Sequence, residues 1–171
     1  MPELPEVETT LRGIKPHIIG HKITEVVVRN KNLRWPVPGK VSSLGGSKFD
    51  DIKRRGKYLI VNLDCGSLII HLGMSGSLRI VDRGADYRKH DHVDFSLDSG
   101  KALRFHDPRR FGCVLFCVGD PLGHKLLRHL GPEPLSENFS GQYLYDKSRG
   151  RKVSVKQFLM NSKLVVGVGN I

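Results

Sequence analysis

The chain has 171 residues, of which 39% are hydrophobic and 26% charged, a balance typical of a globular protein with one full domain and part of another. Its 28 lysines and arginines exceed its 17 acidic residues, which gives a formal net charge of +11. Such a basic protein is expected to bind nucleic acid, and the alternative is a basic surface that is merely solvated. No apolar run approaches the roughly 18 residues of a membrane span, and acids precede the first apolar residues, which argues against a secretory signal peptide.

The first predicted element is a helix over residues 3–14. It should end before Lys15-Pro16, because proline disfavours the helical conformation in the residue that precedes it. Pro2 and Pro5 suit the first turn of a helix, where a missing N–H has no consequence, and the acids beside them suit the positive end of the helix dipole.

A series of short strands is predicted after this helix, with glycines between them. Residues 33–40 contain a tryptophan and two prolines and should form a loop, and residues 98–101 are typical of a hairpin turn. Many short strands with frequent turn signals favour an antiparallel β-sandwich. The predicted strands are residues 23–29, 48–54, 58–63, 67–72, 77–81, 92–97, 102–106 and 112–118.

The sequence pattern becomes helical after residue 121. Helices are predicted over residues 122–130, 140–147 and 154–161. Residues 139–171 contain six basic residues and one acidic residue. The sequence therefore predicts an α+β protein, with an N-terminal helix and β-sandwich domain in residues 1–131 and a basic helical region in residues 132–171.

Metal and disulfide sites are weakly supported. Cys113 and Cys117 lie four residues apart in a strand-like run and are expected to be buried thiols on one face, and with Cys65 they make an odd set without zinc-ligand spacing. His90 and His92 alternate on a predicted strand but lack a third ligand.

The first residues could carry covalent chemistry. A proline after the initiator methionine allows the methionine to be removed, which leaves Pro2 with a secondary amine whose ordinary pKa is roughly 7.7 to 8.0. Attack of such an amine on an aldehyde-like carbon gives an electron-withdrawing iminium. Glu3 and Glu6 can share one helix face and supply acid–base catalysis. From these residues alone, the structural interpretation as a well-formed helix N-terminus is favoured.

Several longer strings resemble one family, the formamidopyrimidine-DNA glycosylases, which remove oxidised purines from DNA and then nick the strand. The resemblance extends along the whole chain in the family's order. The strings are M-P-E-L-P-E-V-E-T at 1–9, R-R-G-K-Y at 54–58, H-L-G-M-S-G-S-L-R at 71–79, K-H-D-H-V-D at 89–94, D-P-R-R-F-G at 107–112, H-L-G-P-E-P-L at 129–135 and K-L-V-V-G-V-G-N at 163–170.

The resemblance implies a bifunctional enzyme of base-excision repair. It would be a DNA glycosylase and apurinic/apyrimidinic lyase that acts on 8-oxoguanine and formamidopyrimidines in double-stranded DNA, as a cytoplasmic, nucleoid-associated monomer. By the same resemblance, Pro2 is the nucleophile that forms the Schiff base, Glu3 the general acid, Glu6 a second carboxylate near the sugar, and Lys57 a proton donor and phosphate contact. Without the resemblance, Lys57 would be interpreted as an ordinary solvated lysine in a basic run.

The resemblance also implies a set of DNA contacts. Met74, Arg109 and Phe111 would fill the space left by the extruded nucleotide, whose unstacking costs a few kcal/mol. Taken alone, Met74 and Phe111 would be interpreted as core residues. Arg151 stands where the family has a lysine. The implied DNA-binding residues are His71, Met74, His90, Arg109, Phe111, Arg151, Lys156 and Asn170.

The chain stops where the family continues into the rest of a helix–two-turns–helix element and a zinc finger. The resemblance therefore implies an incomplete copy without a cofactor of its own, the single zinc ion belonging to the absent finger. Two alternatives remain open, a non-catalytic DNA-binding module and an enzyme of the sister branch that excises oxidised pyrimidines. Leu4, where that branch has glycine, and the presence of the Met74, Arg109 and Phe111 set favour the purine branch.

Overall fold

The computed structural model describes residues 2–170, and within them eight strands form two four-stranded antiparallel sheets. The strands are β1 (Ile23–Val28), β2 (Phe49–Arg55), β3 (Tyr58–Leu63), β4 (Gly66–His71), β5 (Ser77–Asp82), β6 (Asp91–Leu97), β7 (Lys101–His106) and β8 (Cys113–Cys117). One sheet has the order β1-β6-β7-β5 and the other the order β2-β3-β4-β8. The predicted antiparallel strands and the hairpin turn between β6 and β7 are confirmed.

The main apolar core lies between the two sheets. Phe49 of one sheet and Phe95 and Phe105 of the other are fully buried in it. Helix α1 (Leu4–Ile18) completes this core and lies against β2 and β3 of one sheet and β5 and β7 of the other. The start of α1 is thereby fixed relative to the ends of the strands. The helix contributes Val7, Leu11, Ile14 and Ile18 to the core.

Helix α1 continues beyond its predicted end, so the expectation that it stops before Lys15-Pro16 is wrong. Pro16 lies inside the helix, where it cannot donate a hydrogen bond to the preceding turn. Ile14 and Ile18 are both buried, and full burial of one such side chain contributes about 1.5 to 3 kcal/mol. The extra turn is therefore stabilised by packing that the local proline rule does not include.

The helix predicted over residues 122–130 is also wrong. The segment forms a short 3-10 helix at Pro121–Gly123 followed by hydrogen-bonded turns. Leu127 is buried, and Leu126 and Leu130 pack partly buried against the same small apolar cluster, so successive turns make the packing contacts that a helix was expected to make. The predicted loop at residues 33–40, in turn, runs into a short helix, α2 (Gly39–Ser42), which buries Val41.

The basic region contains two short helices close to their predicted positions. Helix α3 (Gly141–Ser148) begins after Ser140, whose hydroxyl accepts the N–H of Tyr143, and α4 (Val155–Leu159) begins after Ser154, which caps it in the same way. The predicted domain boundary near residue 131 stays a prediction. At that point the chain pairs with a later segment, because Gly131 N–H donates to the Ser162 carbonyl at 2.8 Å.

In the part of the chain that the structure describes, no helix is both long and apolar enough to cross a membrane.

Candidate active site

The start of α1 is held by a reciprocal arrangement of its own acids. Glu3 is the N-cap residue, and its backbone N–H donates to the Glu6 carboxylate at 2.9 Å. Its carbonyl accepts the N–H of Val7 at 3.0 Å, which begins the helix. Glu6 is exposed and fixes the backbone of Glu3, and Pro2, which is half-buried, directly precedes that backbone.

Lys57 and Glu3 meet although 54 residues separate them. Lys57 lies in the β2–β3 turn, and its ammonium donates to Glu3 Oε2. Both side chains are about one-fifth exposed, at 23% and 21%. Glu3 Oε1 is buried and has no hydrogen-bond partner among the described residues. One carboxylate oxygen is therefore paired with a cation, and the other is free to carry a proton or to bond a ligand.

A glycine-rich segment covers this pair. A Cβ atom on Gly169 would lie 2.7 Å from Glu3 Oε2, and one on Gly167, whose φ is +80°, would collide with the side chain of Leu4. Glycine is therefore required for the backbone to approach the start of α1 this closely. Asn170, the last described residue, follows and is exposed.

Two cavities adjoin at His71, which lines both of them. The smaller, of about 200 Å³, lies beside Lys57, and the larger, of about 750 Å³, contains side chains from three connecting segments. Besides His71, the smaller is lined chiefly by Lys57, Tyr58, Leu130, Met160 and Val168, and the larger by Asn32, Arg34, Met74, Arg109 and Phe111. The paired Lys57 thus lies next to a continuous concave surface.

His71 is held in a defined orientation between the cavities. Its Nδ1 accepts the N–H of Gly73 at 3.0 Å, and its ring lies 4.6 Å from that of Tyr58. Burial, together with the charges of Arg34 and Lys57, lowers the pKa of His71 to about 4. The ring is therefore neutral at physiological pH, and with Nδ1 accepting, its proton is on Nε2.

The lowered pKa of His71 predicts a loss of stability in mild acid. Folding lowers the pKa of His71, so its contribution to the stability of the folded state is fully present above pH 6.5, the ordinary pKa of histidine. As the pH falls from 6.5 towards about 4, the unfolded chain takes up a proton at this histidine before the folded chain does. The contribution is therefore lost across this interval. The free energy of unfolding, measured with urea across this interval, should fall more steeply in the wild type than in His71→Asn, whose amide oxygen can still accept from Gly73. Equal slopes would contradict the assignment.

Met74, Arg109 and Phe111 lie together on the surface of the larger cavity. Met74 is in the turn between β4 and β5, and the other two are in the β7–β8 connection. The Arg109 guanidinium lies 4.9 Å from the centre of the Phe111 ring. Met74 is 39% exposed and Phe111 45% exposed, so neither is a core residue. The structure therefore brings this predicted set together.

The remaining predicted DNA-binding residues lie apart from the cavities. His90 is in the turn before β6, with its ring 6.1 Å from that of His106. Arg151 and Lys156 are exposed in the basic helical region, where Arg151 Nε donates to the Lys147 carbonyl at 3.2 Å. Among the described residues these three line neither cavity, so their predicted roles concern a wider surface.

Comparison with known proteins identifies the family. Residues 1–114 match the family described as Formamidopyrimidine-DNA glycosylase N-terminal domain. The chain belongs to this family. It is 60% identical over 171 residues to the formamidopyrimidine-DNA glycosylase of Alcanivorax borkumensis and 56% identical over 172 residues to that of Thioalkalivibrio sulfidiphilus. Each comparison covers 100% of this chain, which spans 63% and 64% of the two relatives.

The fold agrees with solved structures of the family. A complex of Lactococcus lactis Fpg with DNA that contains an abasic site superposes with a TM-score of 0.90 at 34% identity, covering 99% of this chain and 64% of that one. A complex of the wild-type Lactococcus lactis protein with DNA that contains an oxidised pyrimidine gives a TM-score of 0.90 at 35% identity, covering 99% of this chain and 65% of that one.

The structure adds residues that the family resemblance did not single out. Glu133 Oε1 accepts the Gly56 N–H at 2.7 Å, and its other oxygen accepts from Arg54 at 2.7 Å. Burial opposes ionisation, but Arg54, the Gly56 N–H and Arg55 together lower the pKa of Glu133 below its ordinary value. Glu133 therefore holds the turn that contains Lys57. In the sequence, Arg54 and Arg55 belong to a basic run. Their partner Glu133 lies so far along the chain that spacing gives no indication of the contact.

Arg34 was also missed, although it lines the larger cavity. Its guanidinium lies 4.7 Å from the centre of the Trp35 ring, and its backbone N–H donates to the Gly112 carbonyl at 3.2 Å. A proline-rich stretch gave no reason to choose this arginine over others.

The prediction that this chain holds no cofactor of its own stays a prediction. No group of three or more histidines, cysteines or acids among residues 2–170 could hold a metal ion. All three cysteines are free thiols. Burial raises the pKa of the Cys113 thiol to about 12, Cys117 is half-buried, and Cys65 is exposed.

Proposed function

We propose that this protein is a bifunctional DNA glycosylase and apurinic/apyrimidinic lyase of base-excision repair. It excises oxidised purines, 8-oxoguanine and formamidopyrimidines, from double-stranded DNA and nicks the strand by β- or β,δ-elimination. One observation carries the proposal: Glu3 pairs with Lys57 directly beside Pro2, under a glycine segment and next to two adjoining cavities. The 60% identity to a named glycosylase over the whole chain supports it.

The proposed nucleophile is the nitrogen of Pro2. Met1 lies outside the described residues, and its removal is part of the proposal. The freed amine, with an ordinary pKa of roughly 7.7 to 8.0, attacks C1′ of the damaged nucleotide, and the positive end of α1 favours its unprotonated form. The glycosidic bond breaks, and the base leaves with a proton supplied through Glu3. The nitrogen then loses its proton and the C1′–O4′ bond opens, with O4′ taking up a proton as a hydroxyl, which leaves the iminium at C1′. Glu6 fixes the backbone of Glu3, and Lys57 stabilises the developing negative charge.

Strand cleavage follows from the same intermediate. The C1′ iminium withdraws electrons, so the Glu3 carboxylate, which has given its proton to the departing base, takes a proton from C2′, and the 3′ phosphate leaves. The electrons of the broken C–H bond form the new C2′–C3′ double bond. Each elimination breaks one C–O bond to phosphate, and no oxidant or reductant is required. The protein thus needs only an amine, an acid and a cation, which Pro2, Glu3 and Lys57 supply.

DNA binding is proposed to use the rest of the predicted set. Met74, Arg109 and Phe111 enter the base stack and replace the extruded nucleotide, which stabilises the opened duplex. The proposed phosphate contacts are Lys57, His71, His90, Arg151, Lys156 and Asn170. The protein would act as a monomer on cytoplasmic, nucleoid DNA without a cofactor bound to this chain.

Borohydride trapping tests the proposed function. Incubation with a duplex that contains 8-oxoguanine opposite cytosine should give a covalent protein–DNA adduct after reduction. Binding without any adduct would leave the DNA-binding module as the better account. Stronger trapping on a duplex with an oxidised pyrimidine would favour the sister branch.

Affinity for DNA is expected to fall steeply with salt. Lys57, Arg151 and Lys156 neutralise three proposed phosphates, so the logarithm of the association constant should fall with that of the salt concentration with a slope of about −3 or steeper. Lys156→Gln should make this slope shallower by about one. Lys101→Gln, which removes an exposed lysine paired with Asp82, should leave it unchanged. A flat dependence for the wild type would refute the basic-surface argument.

A further inference from the structure

Asp107 is a fully buried acid that joins two connecting segments. Its exposed fraction is 0%. Oδ1 accepts the hydroxyl hydrogen of Ser75 at 2.7 Å, and Oδ2 accepts the backbone N–H of Gly112 at 2.8 Å. Ser75 belongs to the turn that carries Met74, and Gly112 ends the segment that carries Arg109 and Phe111. A single carboxylate therefore binds both halves of the surface that faces the larger cavity.

The backbone of Asp107 adds a third segment. Its N–H donates to the carbonyl of His90 at 3.0 Å, and its own carbonyl accepts Nε2–H of His92 at 2.8 Å. His90 is in the turn before β6. The backbone N–H, the backbone carbonyl and both carboxylate oxygens of Asp107 all form hydrogen bonds. These bonds connect three loops that carry proposed DNA contacts.

The joined loops have little freedom to shift. The Ser75 hydroxyl oxygen also accepts the backbone N–H of Arg109 at 3.1 Å, which extends the connection from Asp107 to Arg109. A Cβ atom on Gly112 would lie 2.5 Å from the carbonyl oxygen of His71, so the two segments touch backbone to backbone. Arg110 has a φ of +57°, in the left-handed region that non-glycine residues rarely adopt. Such a backbone persists only where surrounding bonds hold it.

We propose that Asp107 is a positioning residue that presets Met74, Arg109 and Phe111 as one rigid wedge before DNA binds. The inference rests on the proposed function, because it assigns a purpose to the same surface. Asp107 is buried and touches no DNA itself. By holding the three loops in place, it removes the need to order them during base extrusion, which would otherwise oppose binding.

Two variants weaken the connection at different points. In Asp107→Asn the amide oxygen can still accept from Gly112, but the NH₂ group then faces Ser75 and cannot accept its hydroxyl hydrogen. Ser75→Ala removes the hydroxyl that links Asp107 to Arg109. Asp98→Asn, at the exposed β6–β7 turn where the acid pairs with His21, is the matched control.

The test compares two duplexes for each full-length variant. An 8-oxoguanine duplex requires a stacked base to be displaced, whereas an abasic duplex has no base to displace. Both variants should excise 8-oxoguanine about tenfold more slowly, while borohydride trapping on the abasic duplex stays within about twofold of wild type. Ser75→Ala leaves Asp107 Oδ1 buried without a partner, and Asp107→Asn forces the Ser75 hydroxyl to turn its hydrogen away from residue 107. The Asp98→Asn control should match the wild type on both.

The outcomes separate this inference from the proposed function. Equal loss on both duplexes, or no loss on either, would overturn the positioning role. If Asp107→Asn does not fold, Ser75→Ala alone decides, by its loss of 8-oxoguanine excision compared with its loss of abasic-site trapping. A wild type that traps no abasic DNA would refute the proposed function and this inference with it, whereas a trapping wild type with unaffected variants would refute only the inference.

Discussion

Pro2→Gly is expected to reduce borohydride trapping on the 8-oxoguanine duplex by about a hundredfold or more, because the reacting amine loses its defined position. Glycine replaces a secondary amine held in a ring by a flexible primary amine. The imine it forms is a weaker electron sink unless protonated. The rest of the site, including the contact between Glu3 and Lys57, contains no atom of the proline ring. The adduct is measured on a denaturing gel after reduction.

A second proline provides the control for this experiment. Pro5 is exposed in the first turn of the same helix but carries no free amine, so Pro5→Ala should trap DNA like the wild type. Intact mass should show that Met1 is absent from all three proteins. Trapping by Pro2→Gly at the wild-type level would exclude the terminal nitrogen as the nucleophile.

Glu3→Gln is expected to separate base excision from formation of the Schiff base at an abasic site. General acid catalysis contributes about 10²- to 10⁴-fold, so excision of 8-oxoguanine should slow by that range. Glutamine keeps the shape of the side chain and an oxygen that can accept from Lys57, but it has no acidic proton to give. Trapping on a preformed abasic site, where no base has to leave, should fall far less.

The matched control for Glu3→Gln is Glu25→Gln. Glu25 is exposed on β1, away from both cavities, and this change should leave excision and trapping at wild-type values. The prediction fails if Glu3→Gln excises at the wild-type rate, or if excision and abasic-site trapping fall together by the same factor.

The strands were predictable from the sequence, but their environment was not. In β6, alternating polar and apolar residues suggest one solvent-facing side, yet every residue from Asp91 to Leu97 is buried. Asp94 accepts two hydrogen bonds from Arg104, and Arg104 also donates to the Ala85 carbonyl at 3.0 Å in the segment that covers this side of the sheet. The alternation of polar and apolar residues along one strand does not indicate that a loop elsewhere in the chain covers its polar side.

The helix errors have the same cause. Pro16 breaks a local rule but is tolerated because Ile18 packs into the core, and residues 122–130 satisfy a local helical pattern but bring their leucines into packing through turns. Element boundaries therefore depended on tertiary contacts that sequence spacing does not report.

The candidate site was predictable only through the family resemblance. Spacing alone favoured a structural role for the acids at the start of α1 and a solvated role for Lys57, because nothing local connects two residues 54 positions apart. In the sequence, Asp107 is only the first residue of the string at 107–112, and its neighbours assign it no role. Its burial and its bonds to Ser75 and Gly112 become visible only when three separate loops meet.

The central claim is that the nitrogen of Pro2 carries the reaction, and peptide mapping of the reduced adduct tests it most directly. After borohydride trapping on the abasic duplex, the protein is digested and the modified peptide is sequenced by mass spectrometry. We predict a sugar adduct on the terminal nitrogen of a peptide that begins with Pro2. An adduct on Lys57 or another lysine, or a peptide that still carries Met1 in the trapped protein, would contradict the account.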